Sequence, residues 1–143
     1  MRIDTIVDRV RSICIGAPFG LTEAERWDTF EAQPDTNIDR VFRIPPPASQ
    51  SVIGEFGFVE DRVDTMQVWI ARKHQQDFPA VRRALLQDMH SLTSAVVRDG
   101  AQTSGEYAVL DEGRGHSIGE ENLSAQDYVT LRVSWPINYE IQL

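Results

Sequence analysis

From Val63 to Arg72 the chain alternates with a period of two, and just beyond it Asp77 to Arg98 repeats its apolar residues at helical spacing. In the first segment Val63, Thr65, Gln67 and Trp69 share one face, and Met66, Val68 and Ile70 share the other. Successive side chains of a strand point to opposite faces, so the second set is expected to meet the core. In the second segment Val81, Leu85, Met89, Leu92 and Val96 recur every three or four residues, backed by Ala84 and Leu86, which predicts one apolar helix stripe. Asp77 is placed to cap the helix, and Pro79 falls in the first turn, where a missing N–H costs nothing. Arg98 suits the negative end of the helix, and Gly100 suits a left-handed stop. A strand that feeds such a helix needs more sheet beside it before either apolar face can be covered.

The rest of the chain supplies that sheet. Tyr107 to Leu110 reads as a strand, and Val129, Leu131, Val133 and Trp135 alternate with Tyr128, Thr130, Arg132 and Ser134 in another. Pro136 interrupts the pattern and suggests an edge position or a bulge, because proline cannot donate to a ladder. Ile137, Tyr139 and Ile141 continue the alternation. Between these strands lies Asp111 to Gln126, polar and rich in glycine, which reads as the loop of a long β-hairpin.

The first third is less regular. Ile3, Ile6, Val7, Val10, Ile13 and Cys14 predict an amphipathic opening helix. Thr22 followed by Glu25 reads as the capping box of a second helix bearing Trp27 and Phe30, and Gln33 to Asn37 reads as a turn. Val41, Phe42 and Ile44 predict a short strand ended by Pro45, Pro46 and Pro47, and Val52 to Phe58 is apolar and broken by glycine. The expected fold class is α+β: a mixed or antiparallel β-sheet packed against one main helix, with an N-terminal helix and a long β-hairpin. At 143 residues one core suffices. A single domain is expected over 1–143, with 1–37 an N-terminal helical segment and 38–143 the sheet and main helix.

Chemistry is sparse in this sequence. His74, His90 and His116 stand far apart, without the spacing of a zinc site on one helix or hairpin. Gly113 to Gly119 resembles a phosphate loop only superficially, since neither the lysine nor the helix that would complete one follows. No Gly-x-Ser-x-Gly elbow occurs, and Glu60-Asp61 and Glu120-Glu121 read as solvated charge. Cys14 is the only cysteine and falls among the apolar residues of its helix, so it reads as a buried thiol. A net charge of −8 argues against nonspecific attraction to nucleic acid or anionic lipid. The opening residues carry charges throughout, so no export or anchoring segment is expected there. No cofactor or metal is expected, and the chain reads as a building block rather than an enzyme.

An N-terminal helix, a strand Met66-Gln67-Val68-Trp69-Ile70-Ala71-Arg72-Lys73, a helix running from Asp77-Phe78-Pro79 to Ser91-Leu92, and a hairpin ending in Tyr128 to Ile137 follow one another. In that order they resemble the tail terminator (tail-completion) proteins of long-tailed bacteriophages, over residues 38–143. The resemblance implies a structural subunit that forms a ring, six-fold in that family. Such a ring caps the tail tube, stops its polymerisation and joins it to the head connector. Its implied partners are copies of itself, the tail tube protein and a head–tail connector protein, with DNA passing through the lumen without specific binding and no membrane involved. The implied location is the virion tail or neck, assembled in the host cytoplasm.

The residues expected at subunit or partner interfaces are Arg82 and Arg83 on the main helix and Glu112, Arg114, His116, Glu120 and Glu121 in the polar segment. Carboxylates there would suit a channel that must repel DNA phosphates, and Tyr128 to Tyr139, read as an edge strand, would suit ring closure. Another head–tail connector or neck subunit is the nearest alternative. A small ligand-binding α+β domain is the other, with Trp69, His90, Tyr107 and Trp135 as its only nominees for a pocket.

Overall fold

The computed structural model describes residues 2–24, 40–73, 78–102, 107–110, 115–123 and 126–142. They form helix α1 (Ile3–Ile15), strands β1 (Thr22–Glu23), β2 (Val41–Arg43), β3 (Ala48–Phe56) and β4 (Val59–Lys73), helix α2 (Phe78–Gln102), and strands β5 (Tyr107–Val109), β6 (Gly115–Leu123) and β7 (Gln126–Gln142). The fold is α+β, with both helices packed on one face of a mixed sheet. Five strands follow the order β1-β2-β4-β7-β5; β3 pairs with β4 on the same side as β2 but further along the strand, and β6 pairs with β7 on the same side as β5.

The centre of the sheet is the β4–β7 pair, antiparallel and in register from Val59 opposite Gln142 to Lys73 opposite Tyr128. Met66, Val68 and Ile70 are fully buried, as the alternation predicts, and so are Val129, Leu131, Trp135 and Ile137 from β7. They form one core with Leu85, Leu92 and Val96 of α2 and with Ile6, Val10 and Cys14 of α1, while Val81 and Met89 of the predicted stripe pack at its margin. Burial pushes the Cys14 thiol up to about 12, so at neutral pH it is an inert apolar filler.

Several sequence expectations need correction. Thr22 opens no helix: it lies in β1 and pairs in parallel with Val41, while Glu25, Trp27 and Phe30 fall outside the described residues. A pairing between β1 and β2, remote in sequence, outweighs the local capping signal. Asp77, the expected cap of α2, also falls outside the described residues.

The main helix does not stop at Gly100 but runs to Gln102, so Arg98 is not in its last turn. Gly100 is buried and helical, and a Cβ built on it would sit 2.7 Å from the Tyr107 carbonyl oxygen. The glycine is there for close approach between α2 and β5, not for a left-handed turn.

The strand Tyr128 to Tyr139 lies at the centre of the sheet, not at its edge. On the side away from β4, β6 reaches Ser134 and β5 begins at Ile137, so Pro136 sits at the join between them. Its carbonyl accepts from the Leu110 N–H at 2.9 Å, which shows that its backbone polar groups face that join. A central strand tolerates proline here because the one backbone bond made at this join, from the Leu110 N–H, uses the Pro136 carbonyl and not its missing N–H.

Asp111 to Gln126 is not one long loop either. Residues 115–123 are β6, paired antiparallel with β7 from Gly115 opposite Ser134 to Leu123 opposite Gln126. The backbone groups of an otherwise open β7 demand partners, and that demand outweighs the poor strand propensity of the glycines.

Candidate interaction surfaces

Polar clusters tie the helices to the sheet. Arg9 of α1 grips Asp99 of α2 in a bidentate pair at 2.8 and 2.7 Å, and the buried Tyr107 hydroxyl of β5 donates to Asp99 at 2.5 Å. Three elements thus meet on one carboxylate. The Arg9 guanidinium first, and the Tyr107 hydroxyl after it, hold the Asp99 carboxyl below its ordinary range against the opposing effect of burial. Burial, and then the Asp99 charge, push the Tyr107 phenol up. Next to it in register, Tyr139 donates to the buried Asp64 at 2.6 Å, and Arg62 bridges towards Glu60 and Asp64 at 3.2 and 3.8 Å. At the far end of β4, Arg72 holds Asp88 of α2 at 2.9 and 3.1 Å. Arginine forks matched to carboxylates fix orientation as well as adding energy.

A depressed carboxylate is a pH-dependent source of stability. The Asp99 contribution is complete above the unfolded-state value of about 3.9 and is lost as pH falls through the lower folded value. Asp99→Asn is expected to lower the unfolding free energy by about 1–2 kcal/mol at neutral pH. In denaturant titrations from pH 7 to 2.5 its deficit against the unchanged protein should shrink on the acid side. A deficit that stays constant over that range would show that the charge of Asp99 contributes nothing.

The sheet face away from the helices carries a cross-strand row. Trp69 of β4 stands between Arg43 of β2 and Arg132 of β7, each directly opposite in register, with their guanidinium carbons 4.4 and 4.1 Å from the ring centroid. The Trp69 indole N–H donates to Gln67 at 3.0 Å, and Val41 and Ala71 form a small apolar cluster beside it. The stacked arginines shield the ring, Arg43 from a buried position and Arg132 from an exposed one that adds positive charge to this face.

At one end of the sheet, Phe56 pairs with Val59, leaving Gly57 and Phe58 as a two-residue turn. Gly57 has φ +62, the first-position glycine of a II′ hairpin turn, and Phe58 is 81% exposed. No sequence signal distinguished this aromatic from a core residue, because both ends of Val52 to Phe58 read as apolar.

Of the expected interface residues, Arg82 and Arg83 lie exposed on the N-terminal half of α2. His116, Glu120 and Glu121 lie on β6, opposite Val133, Val129 and Tyr128; Glu112 and Arg114 fall outside the described residues. The four pocket nominees do not converge. Trp135 and Tyr107 are buried on the helix side, Trp69 lies on the opposite face of the sheet, and His90 is exposed on α2.

These features define a class: a two-layer α+β domain with a polar-clamped helix layer and one sheet face bearing cations. Among the described residues no group of histidine, cysteine and carboxylate side chains could hold a metal, and no helix is long and apolar enough to cross a membrane. Compared with protein-family models the sequence matches none, and compared with curated proteins it matches none.

Proposed function

We propose that the chain is a structural subunit of the tail or neck of a long-tailed bacteriophage. In this reading it is a tail terminator that closes into a six-fold ring, caps the tail tube and joins it to the head connector. The observation that supports this is the order and packing of the elements: an N-terminal helix, a long strand, a main helix laid back across it, and a terminal hairpin whose second strand pairs along the whole of the first. The interior position of β7 changes how such a ring would close. Ring contacts fall to the outer strands and to the ends of the sheet, with β7 serving as the beam that holds them in place.

The test is native mass spectrometry over a concentration series, negative-stain imaging of the oligomers, and addition of the chain to polymerising tail tube protein. The expected result is a closed ring that shortens the tubes and sits at one end of each. Tubes of unchanged length and unchanged ends, with the chain in excess, would overturn the reading.

A further inference from the structure

The two ends of the sheet carry complementary chemistry. At the Val59 end, the II′ turn presents Phe58 on a two-residue tip. Glu60 and Asp61 follow at once, and Glu140 of β7 stands opposite Asp61. Arg62 is the one cation in that stretch of β4, and it is shared between Glu60 and Asp64. The tip is therefore an exposed aromatic ring at a strand end of net negative charge, where Glu60 is paired with Arg62 and Asp61 accepts from the Asn138 amide at 2.7 Å.

The other end is basic. Arg72 near the end of β4 holds Asp88, and Arg82 and Arg83 lie on α2 before Asp88, towards the start of the helix. Both are exposed and have no ion-pair partner among the described residues. From Val59 to Lys73 the strand spans about 46 Å, so the aromatic tip and the arginine pair cannot meet within one molecule.

We propose that the Phe58 tip of one copy docks on Arg82 and Arg83 of the next. The guanidinium groups stack on the Phe58 ring and pair with the carboxylates behind it, a combination worth more than either contact alone. Because the two patches differ and lie at opposite ends, the contact is head-to-tail; such a contact closes into a ring or grows into a filament, and does not stop at a symmetric dimer. The proposal deepens the ring reading and rests on it, adding which surfaces make the joint. A membrane is a poor alternative occupant for the tip, since its carboxylates repel anionic lipid.

The experiment uses three proteins: the unchanged chain, Phe58→Ser, and Arg82→Glu with Arg83→Glu. All substituted positions are exposed, so circular dichroism and denaturant midpoints should match the unchanged chain. By analytical ultracentrifugation each variant alone should associate about ten-fold or more weakly than the unchanged chain. Mixed one to one, the two variants should form a dimer and stop. Phe58→Ser keeps its arginine pair and the double variant keeps its tip, so one sound joint remains and neither outer end can extend it.

Oligomers of unchanged size and affinity in either variant would overturn the contact while leaving the ring reading intact. A mixture that fails to dimerise, or an unchanged chain that stays monomeric at every concentration, would also overturn it. The tube-capping experiment decides the ring reading separately.

Discussion

Trp135→Ala is expected to lower the unfolding free energy by about 3–5 kcal/mol, the range for emptying a fully buried aromatic site. Trp135 has no exposed surface and stands opposite Met66 in the central pair, under α2. Its indole N–H donates to the Thr93 hydroxyl at 3.1 Å, and Thr93 is itself buried. The substitution therefore opens a cavity between sheet and helix and strips a buried hydroxyl of its donor, two costs that add. Trp135→Phe should recover most of the packing but not the hydrogen bond, and so lose less. Urea titrations of both variants measure the difference. A loss below 1 kcal/mol for alanine would mean that α2 is not anchored at this point.

Gly100→Val should cost about 3 kcal/mol, at the upper end of what overpacking a tight contact costs. The first added carbon meets the Tyr107 carbonyl oxygen at 2.7 Å and the Tyr107 ring at 3.1 and 3.3 Å. The oxygen belongs to backbone and cannot swing aside. To make room, β5 must draw away from α2, which lengthens the Tyr107 bond to Asp99 and loosens the arginine clamp behind it. Helix propensity works the other way, since glycine is the poorer helix former by several tenths of a kcal/mol. The sign of the measured change thus decides between the two. A thermal midpoint that rises in Gly100→Val would show that the helix–strand approach is slack.

The parts of the fold that were legible in the sequence are those where a repeating pattern meets a single buried face. The stripe from Val81 to Val96, the alternation through Met66, Val68 and Ile70, and the run Val129 to Trp135 all report on the helix-side core, and all three face it. The first helix, with Ile6, Val10 and Cys14, was legible for the same reason.

What the sequence concealed was pairing. Thr22 carried a local capping signal and became a strand because Val41 lay beside it. Gly115 to Leu123 had glycines and charges in place of a strand pattern, and became a strand because β7 had backbone groups to satisfy. Pro136 pointed to an edge when it marks a seam between two shorter strands. In each case the deciding partner is remote in sequence or lies in the backbone, where side-chain identity says little.

The candidate surface was legible only in half. Arg82 and Arg83 stood out as charges on the polar side of a clear helix. Phe58 did not, because an aromatic on an exposed turn and one in a core strand look alike until the register places Phe56 opposite Val59. Nor did the Arg43, Trp69 and Arg132 row, which exists only where three strands come side by side.

The long β4–β7 ladder also has a kinetic meaning. Even its nearest pair, Lys73 with Tyr128, has the whole of α2, β5 and β6 between its members. The β6–β7 hairpin can zip from Leu123 opposite Gln126 within microseconds, whereas the central ladder must wait for a large chain closure whose entropy nothing local repays. Until that closure, Met66, Val68 and Ile70 face water on a strand whose longest neighbour has not arrived. The same ladder that makes the finished subunit rigid makes its assembly the slow step, and sets how long each new chain spends with its stickiest surface uncovered.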